Sequence, residues 1–185
     1  MDAAQVTQMR TAGTAVVAAQ HILEGEFPVL GMLGSGYEAR GLLDAMAHVF
    51  SFSQVVVYSP RRENREAFAR EMSERTRVQV VAVDDPNDVL RRTPVVALAT
   101  KSTEPVIDGR WVREGATLLS IGSTRLDLRE LDVRSLERAH RLVVDSAAQV
   151  KTESGDIKAA LDAGALSEDR IVPIADLVRG QVRVR

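Results

Sequence analysis

A chain of 185 residues, 45% hydrophobic and 27% charged, carries enough apolar material for one well-buried domain and is too short for two comfortable ones. A formal net charge of -2 gives no electrostatic reason for nucleic acid or an anionic membrane as the main partner, and zero cysteines exclude a disulfide framework and any thiolate metal site. The opening MDAAQVTQMR does not read as a signal peptide, and the longest uncharged run, TAGTAVVAAQHIL, falls short of the roughly 20 apolar residues of a membrane span, so a cytoplasmic protein is expected.

Residues 2–24 read as an alanine-rich helix with Asp2 as N-cap and Gly25 as the stop. PVLGML (28–33) is a short apolar run that predicts a strand buried on both faces. A helix follows from Gly36 to Val49, with Leu42, Leu43, Met46 and Val49 on one side. QVVVYS (54–59) predicts a second strand, and a helix then starts at Ser59–Pro60, the serine as N-cap and the proline in the first helical position. VQVVAV (78–83) is a third strand, and DDPNDVL opens a short helix behind acidic caps. PVVALAT (94–100), TLLSIG (117–122) and RLVVDS (141–146) predict three more strands, with LRELDVRSLERA as a short helical connection between the last two. Strands alternating with helices imply a Rossmann-type doubly wound parallel sheet, three layers α/β/α, preceded by a long N-terminal helix.

GSGYEA (34–39) is G-x-G-x-x-A, one form of the dinucleotide fingerprint, and it sits between a predicted strand and a predicted helix. In that setting free backbone N–H groups and the helix dipole point at a pyrophosphate. Gly34 makes the turn, Gly36 lets the phosphates approach the backbone, and Ala39 allows helix and strand to pack closely. The alternative is a strand-to-helix turn that merely needs glycine. An NAD enzyme usually places an acid about 20 residues past the loop to read the ribose. Here VVVYSPRREN has no acid before Glu63, and Arg61 and Arg62 stand where a 2′-phosphate could sit, which favours NADP(H) over NAD(H).

The segments RTAGTAVVAAQHIL, LGMLGSGYEARGLLDAM, LATKSTEPVIDGRWVREGATLLSIGSTRLDLRELD and RLVVDSAAQVKTESGDIKAAL occur in one consistent order. Together they resemble the ornithine cyclodeaminase/μ-crystallin family, with STEPVIDGRWVREGA the most specific stretch. The resemblance implies a cofactor domain of an oxidoreductase acting on amino acids or amino-acid-derived imines. It also implies a second, substrate-binding and dimer-forming domain built largely from sequence ahead of the first helix. Residues 1–185 are therefore expected to be one dinucleotide-binding domain, with 1–25 as a connecting helix whose exposed apolar face pairs with a second copy or a partner chain.

Carried over by position, Arg10 matches the family arginine that grips the substrate carboxylate. Gly34, Ser35, Gly36, Tyr37 and Glu38 match the phosphate loop, although the family more often has glutamine at the place of Glu38. Ser59, Arg61 and Arg62 fall in the ribose-reading turn, where NADP-preferring members often carry an arginine at the place of Pro60. Thr100, Lys101, Ser102 and Gly122 match the nicotinamide side. Cyclodeaminases of the family carry an aspartate where this chain has Thr124; a threonine hydroxyl is no carboxylate base. Asp127 reads instead as a turn or cap residue. The resemblance thus points to imine reduction, as in ketimine reductases, more than to strict ornithine cyclodeamination. The alternatives are a non-catalytic cofactor-binding module, regulatory or partner-binding, and one subunit of a split enzyme.

His21, His48 and His140 are scattered without metal spacing, so no metal is expected. Trp111, the only tryptophan, is expected to pack a sheet edge. GxSxG, P-loop and RNA-binding patterns are missing from the sequence.

Overall fold

The computed structural model describes residues 2–23 and 26–184. Its first helix, α1, spans Ala3–Ile22, and Asp2 caps it by accepting from the Ala4 N–H. The expected stop at Gly25 lies outside the described residues. The chain then alternates through β1 (Val29–Leu33), α2 (Tyr37–Val49), β2 (Gln54–Tyr58), α3 (Arg62–Thr76), β3 (Gln79–Ala82), α4 (Pro86–Arg92), β4 (Val95–Leu98) and β5 (Thr117–Ser120). Asp85 caps α4 through the Asn87 N–H, with Pro86 in its first turn, as the acid-proline pattern predicts.

All five strands run parallel in the order β3-β2-β1-β4-β5. The chain winds outward from β1 through β2 to β3, then crosses back to β4 on the other side. That reversal lies between β1 and β4, the place where doubly wound sheets bind ligands at their carboxyl edge.

Side chains alternate across the sheet because successive residues of a strand point to opposite faces. Leu30, Met32, Val55, Val57, Val95 and Ala97 join a core beneath α1, α2 and α3. Leu33, Val56, Val96 and Leu98 join a second core beneath α4 and the later helices. Each fully buried leucine or valine contributes about 1.5–3 kcal/mol relative to exposure, so these two cores dominate the stability. Gly31 has a packing role: a Cβ there would meet Val89 Cγ1 at 2.7 Å, so its absence lets α4 lie close on the strand.

Beyond β5 the chain forms α5 (Val133–Arg138), β6 (Leu142–Val144), α6 (Ala147–Glu153), α7 (Gly155–Asp162), β7 (Ile171–Pro173) and α8 (Ile174–Val178). The segment predicted as a sixth strand is a strand, but it pairs in parallel with β7 in a separate two-stranded sheet. The cause lies in residues 121–132, which are irregular and fold back over the ends of β4 and β5 instead of extending the main sheet. Trp111 does not pack the sheet edge. It is 42% exposed, and the Arg91 guanidinium of α4 lies 4.2 Å from its ring centroid.

Candidate functional site

Register brings the predicted residues together. Leu33 is paired with Tyr58 and with Leu98, and Leu98 with Ser120. The residues that follow these four strand ends, Gly34, Ser59, Ala99–Thr100 and Ile121–Gly122, therefore form one row along the carboxyl edge.

Gly34 has φ +110°, a conformation that L side chains rarely adopt, and its N–H donates to Tyr58 O at 2.9 Å. Ser35 Oγ donates to Ser59 Oγ at 2.8 Å, tying the loop to the end of β2. Gly36 is the N-cap of α2; among the described residues no side chain caps that helix, and a Cβ built on Gly36 meets no atom within 4 Å. The side of the loop that a phosphate would approach is therefore open.

Arg40, one turn into α2, donates to the carbonyls of Ser35 and Gly36 and pairs with Glu71 of α3 at 2.9 Å. A trans peptide holds its N–H opposite its C=O. By drawing the two carbonyls toward itself, Arg40 turns the N–H groups of Gly36 and Tyr37 away from the guanidinium. Those two N–H groups and the helix dipole face the same way, the arrangement that suits a helix N-terminus to an anion. Tyr37 is half exposed, and its carbonyl accepts from Gln8 Nε2 of α1 at 2.5 Å. Glu38 places its Oε2 in a buried position with no hydrogen-bond partner among the described residues.

At the end of β2, the helix begins at Arg62 with Arg61 in the cap position, two residues later than the serine-proline pattern suggests. The Ser59 hydroxyl is engaged by Ser35 and does not cap. The carbonyls of Ser59 and Pro60 are held by Arg65 at 3.0 and 3.3 Å. Arg65 is buried, lies 5.8 Å from the centroid of the Tyr58 ring, and pairs with the exposed Asp84 after β3. Arg62 pairs with Glu66 at 2.7 Å, whereas Arg61 is exposed and forms no ion pair among the described residues.

The third part of the row lies at the ends of β4 and β5. Thr100 Oγ1 is buried without a partner among the described residues. Lys101 is exposed, and the Ser102 hydroxyl donates to Glu104 O at 2.6 Å within its own turn. Behind these residues sits Glu130, fully buried, which the sequence reading did not single out. One of its oxygens accepts from the Thr100 N–H at 2.5 Å; the other accepts from the Gly122 N–H at 2.8 Å and the Ser120 hydroxyl at 2.7 Å. Burial pushes the Glu130 carboxyl up from its ordinary value, and the hydrogen bonds from Ser120, Gly122 and Thr100 oppose that rise. Asp156, at the start of α7, accepts the Glu130 N–H at 3.0 Å and pairs with Arg129 at 3.1 Å. Burial raises its carboxyl too, against the pull of those donors.

Thr124 is exposed in a turn, its N–H on Gly122 O at 2.9 Å. Asp127 is a turn residue paired with Arg125, and the cap of α5 is Asp132. Arg10 lines a groove of about 510 Å³ between α1 and α8 with Gly13, Val17, Ile174 and Val178, a lining that includes none of the row residues. His21 and His48 sit in the last turns of α1 and α2, each with Nδ1 against a carbonyl one turn earlier, that of Val17 and that of Asp44. No cluster of three or more metal-binding side chains occurs among the described residues, and none of their helices is long and apolar enough to cross a membrane.

The sequence model of the ornithine cyclodeaminase/mu-crystallin family matches residues 1–185. The chain belongs to this family. The rat ketimine reductase mu-crystallin is 32% identical over 157 residues, 85% of this chain and 49% of the relative. The alanine dehydrogenase of Archaeoglobus fulgidus is 30% identical over 181 residues, 97% of this chain and 55% of the relative. Among solved structures, the Thermococcus litoralis Delta(1)-pyrroline-2-carboxylate reductase, in complex with NADH and L-proline, superposes with a TM-score of 0.93 at 32% identity. That match covers 97% of this chain and 56% of the reductase chain. This family member thus spans about half the length of the relatives it matches.

Two of the residues that shape the site had a faint sequence signal. Arg40 and Arg65 each follow by four residues the carbonyl they help to hold or the cap of their helix, one turn away. Glu130 had none, because its partners lie up to 30 residues distant.

Proposed function

We propose that residues 1–185 are one dinucleotide-binding domain, with 1–25 as its connecting helix, and that it holds NADP(H) or NAD(H) for hydride exchange with an amino-acid-derived imine. The observation that supports this best is the loop at the strand-order reversal. It combines an open Gly36, uncapped N–H groups, and carbonyls drawn aside by Arg40. The buried Thr100 Oγ1, beside Glu130 and without a well-formed hydrogen bond among the described residues, supplies a second polar atom at the same edge. The loop 34–38 holds the pyrophosphate, Ser59, Arg61 and Arg62 take the adenosine ribose, and Thr100, Lys101, Ser102 and Gly122 flank the nicotinamide. The nicotinamide, when bound, supplies the hydride chemistry.

Arg10 takes the substrate carboxylate, a role drawn from the family pattern. Thr124 in place of a carboxylate favours imine reduction over cyclodeamination. The outward stripe of α1, with Val6, Met9 and Val17 exposed, serves pairing with a second copy or partner chain.

Arg61, the exposed guanidinium without an ion pair among the described residues, meets a 2′-phosphate and makes NADPH the preferred form. The test is a fluorescence titration of NADPH and NADH against the wild type and Arg61→Ala. The wild type should bind both, and the variant should lose about tenfold in NADPH affinity alone, the scale of one charge-assisted contact. Binding of neither cofactor overturns the reading. Equal loss for both removes the role of Arg61.

A further inference from the structure

Glu130 stands out among the buried groups because it is a carboxylate without a cation. Asp156, its neighbour, is neutralised by Arg129 at 3.1 Å, whereas no ion pair reaches Glu130 among the described residues. Each of its oxygens accepts a backbone N–H, from Thr100 and from Gly122, which is the bonding pattern of the charged form. The side chain lies against the Gly122 backbone so closely that a Cβ on Gly122 would collide with it. Thr100 in turn touches the phosphate loop, since a Cβ on Gly34 would meet Thr100 Cγ2 at 3.4 Å. The donors around Glu130 thus suit a negative charge in the row between the ends of β4 and β5, shielded from water by full burial.

We infer that Glu130 is an electrostatic selector of the cofactor's redox state, its charge favouring the oxidised, positively charged nicotinamide over the neutral reduced ring. This rests on the nicotinamide lying at the β4 and β5 ends, as proposed above. An oxidised ring carries one positive charge that a reduced ring lacks, so a fixed anion behind the site acts on one form and not the other. Low surrounding polarizability lengthens its reach. Glu130 need not touch the cofactor; it acts through charge and through the two N–H groups it positions.

The experiment measures the ratio of dissociation constants, oxidised over reduced, for NAD(H) and NADP(H) at pH 8, with circular dichroism to verify folding. Glu130→Gln removes the charge and should raise the ratio about tenfold, weakening the oxidised form selectively. Arg129→Gln leaves Asp156 without its neutralising partner, adds net negative charge beside Glu130, and should lower the ratio. Arg129 is partly exposed, so this variant decides the matter if Glu130→Gln fails to fold. Opposite shifts in the two variants support the inference, because a purely structural role moves both cofactor forms together. An unchanged ratio in either folded variant, or shifts of one sign, overturns it while leaving the cofactor reading intact. A wild-type chain that binds neither cofactor overturns both.

Discussion

Gly34 and Gly36 are two residues apart, yet a methyl group at each should have opposite consequences. At Gly34, alanine must adopt φ +110° and place its Cβ against the Ala99 carbonyl, whose carbon would lie at 2.9 Å. Holding an L residue in a sparsely populated backbone region costs about 1–3 kcal/mol. Relieving the overlap moves β4 against β1 and costs roughly another 1–3 kcal/mol, the usual range for overpacking. Gly34→Ala should therefore lose about 2–6 kcal/mol of folding stability.

At Gly36 the backbone has φ -83° and ψ -167°, which any residue adopts, and the added methyl meets none of the described residues within 4 Å. Gly36→Ala should change stability by less than about 0.5 kcal/mol, as surface substitutions do. It should weaken cofactor binding at least about tenfold, because the methyl occupies the approach to the loop N–H groups. Urea unfolding followed by circular dichroism reads the first quantity, and NADH fluorescence titration the second. A Gly36→Ala variant destabilised as much as Gly34→Ala, or one that binds NADH as the wild type does, refutes this division of labour.

Two further outcomes are expected. Arg65→Met removes charge-assisted hydrogen bonds to the carbonyls of Ser59 and Pro60 and should cost about 2–4 kcal/mol, read as a fall of roughly 5–15 °C in thermal midpoint; a fall below about 2 °C contradicts the role given to Arg65. Asp108 is held down from 3.8 to about 2 by side-chain and backbone hydrogen bonds from Arg110. Its folded value lies below its unfolded one, so it contributes stability above pH 3.8 that is lost as pH falls toward 2. Asp108→Asn should flatten the pH dependence of the urea midpoint in that window, and an unaltered acid limb counts against the pairing.

The first five strands and the four helices among and ahead of them were legible because each signal is local. Apolar runs of strand length, acids before Pro86, and glycines between a strand and a helix all act within a few residues of themselves. The start of α3 was misplaced for a reason the same local rules cannot see: the hydroxyl of Ser59 is claimed by Ser35, 24 residues earlier in the chain. The sixth strand was recognised as a strand, but its partner was not, since pairing with β7 depends on where residues 121–132 carry the chain.

By itself, the sequence determined the alternating architecture and the glycine turn between β1 and α2, since backbone sterics and hydrophobic burial leave such patterns few other conformations. Only the tertiary structure decided which strand ends share a row, that Arg40 and Arg65 hold the carbonyls of the turns after β1 and β2, and that Glu130 is buried with no cation paired to it among the described residues. Those properties belong to distances between residues far apart in the chain, and a charge or a hydrogen bond depends on distance in space.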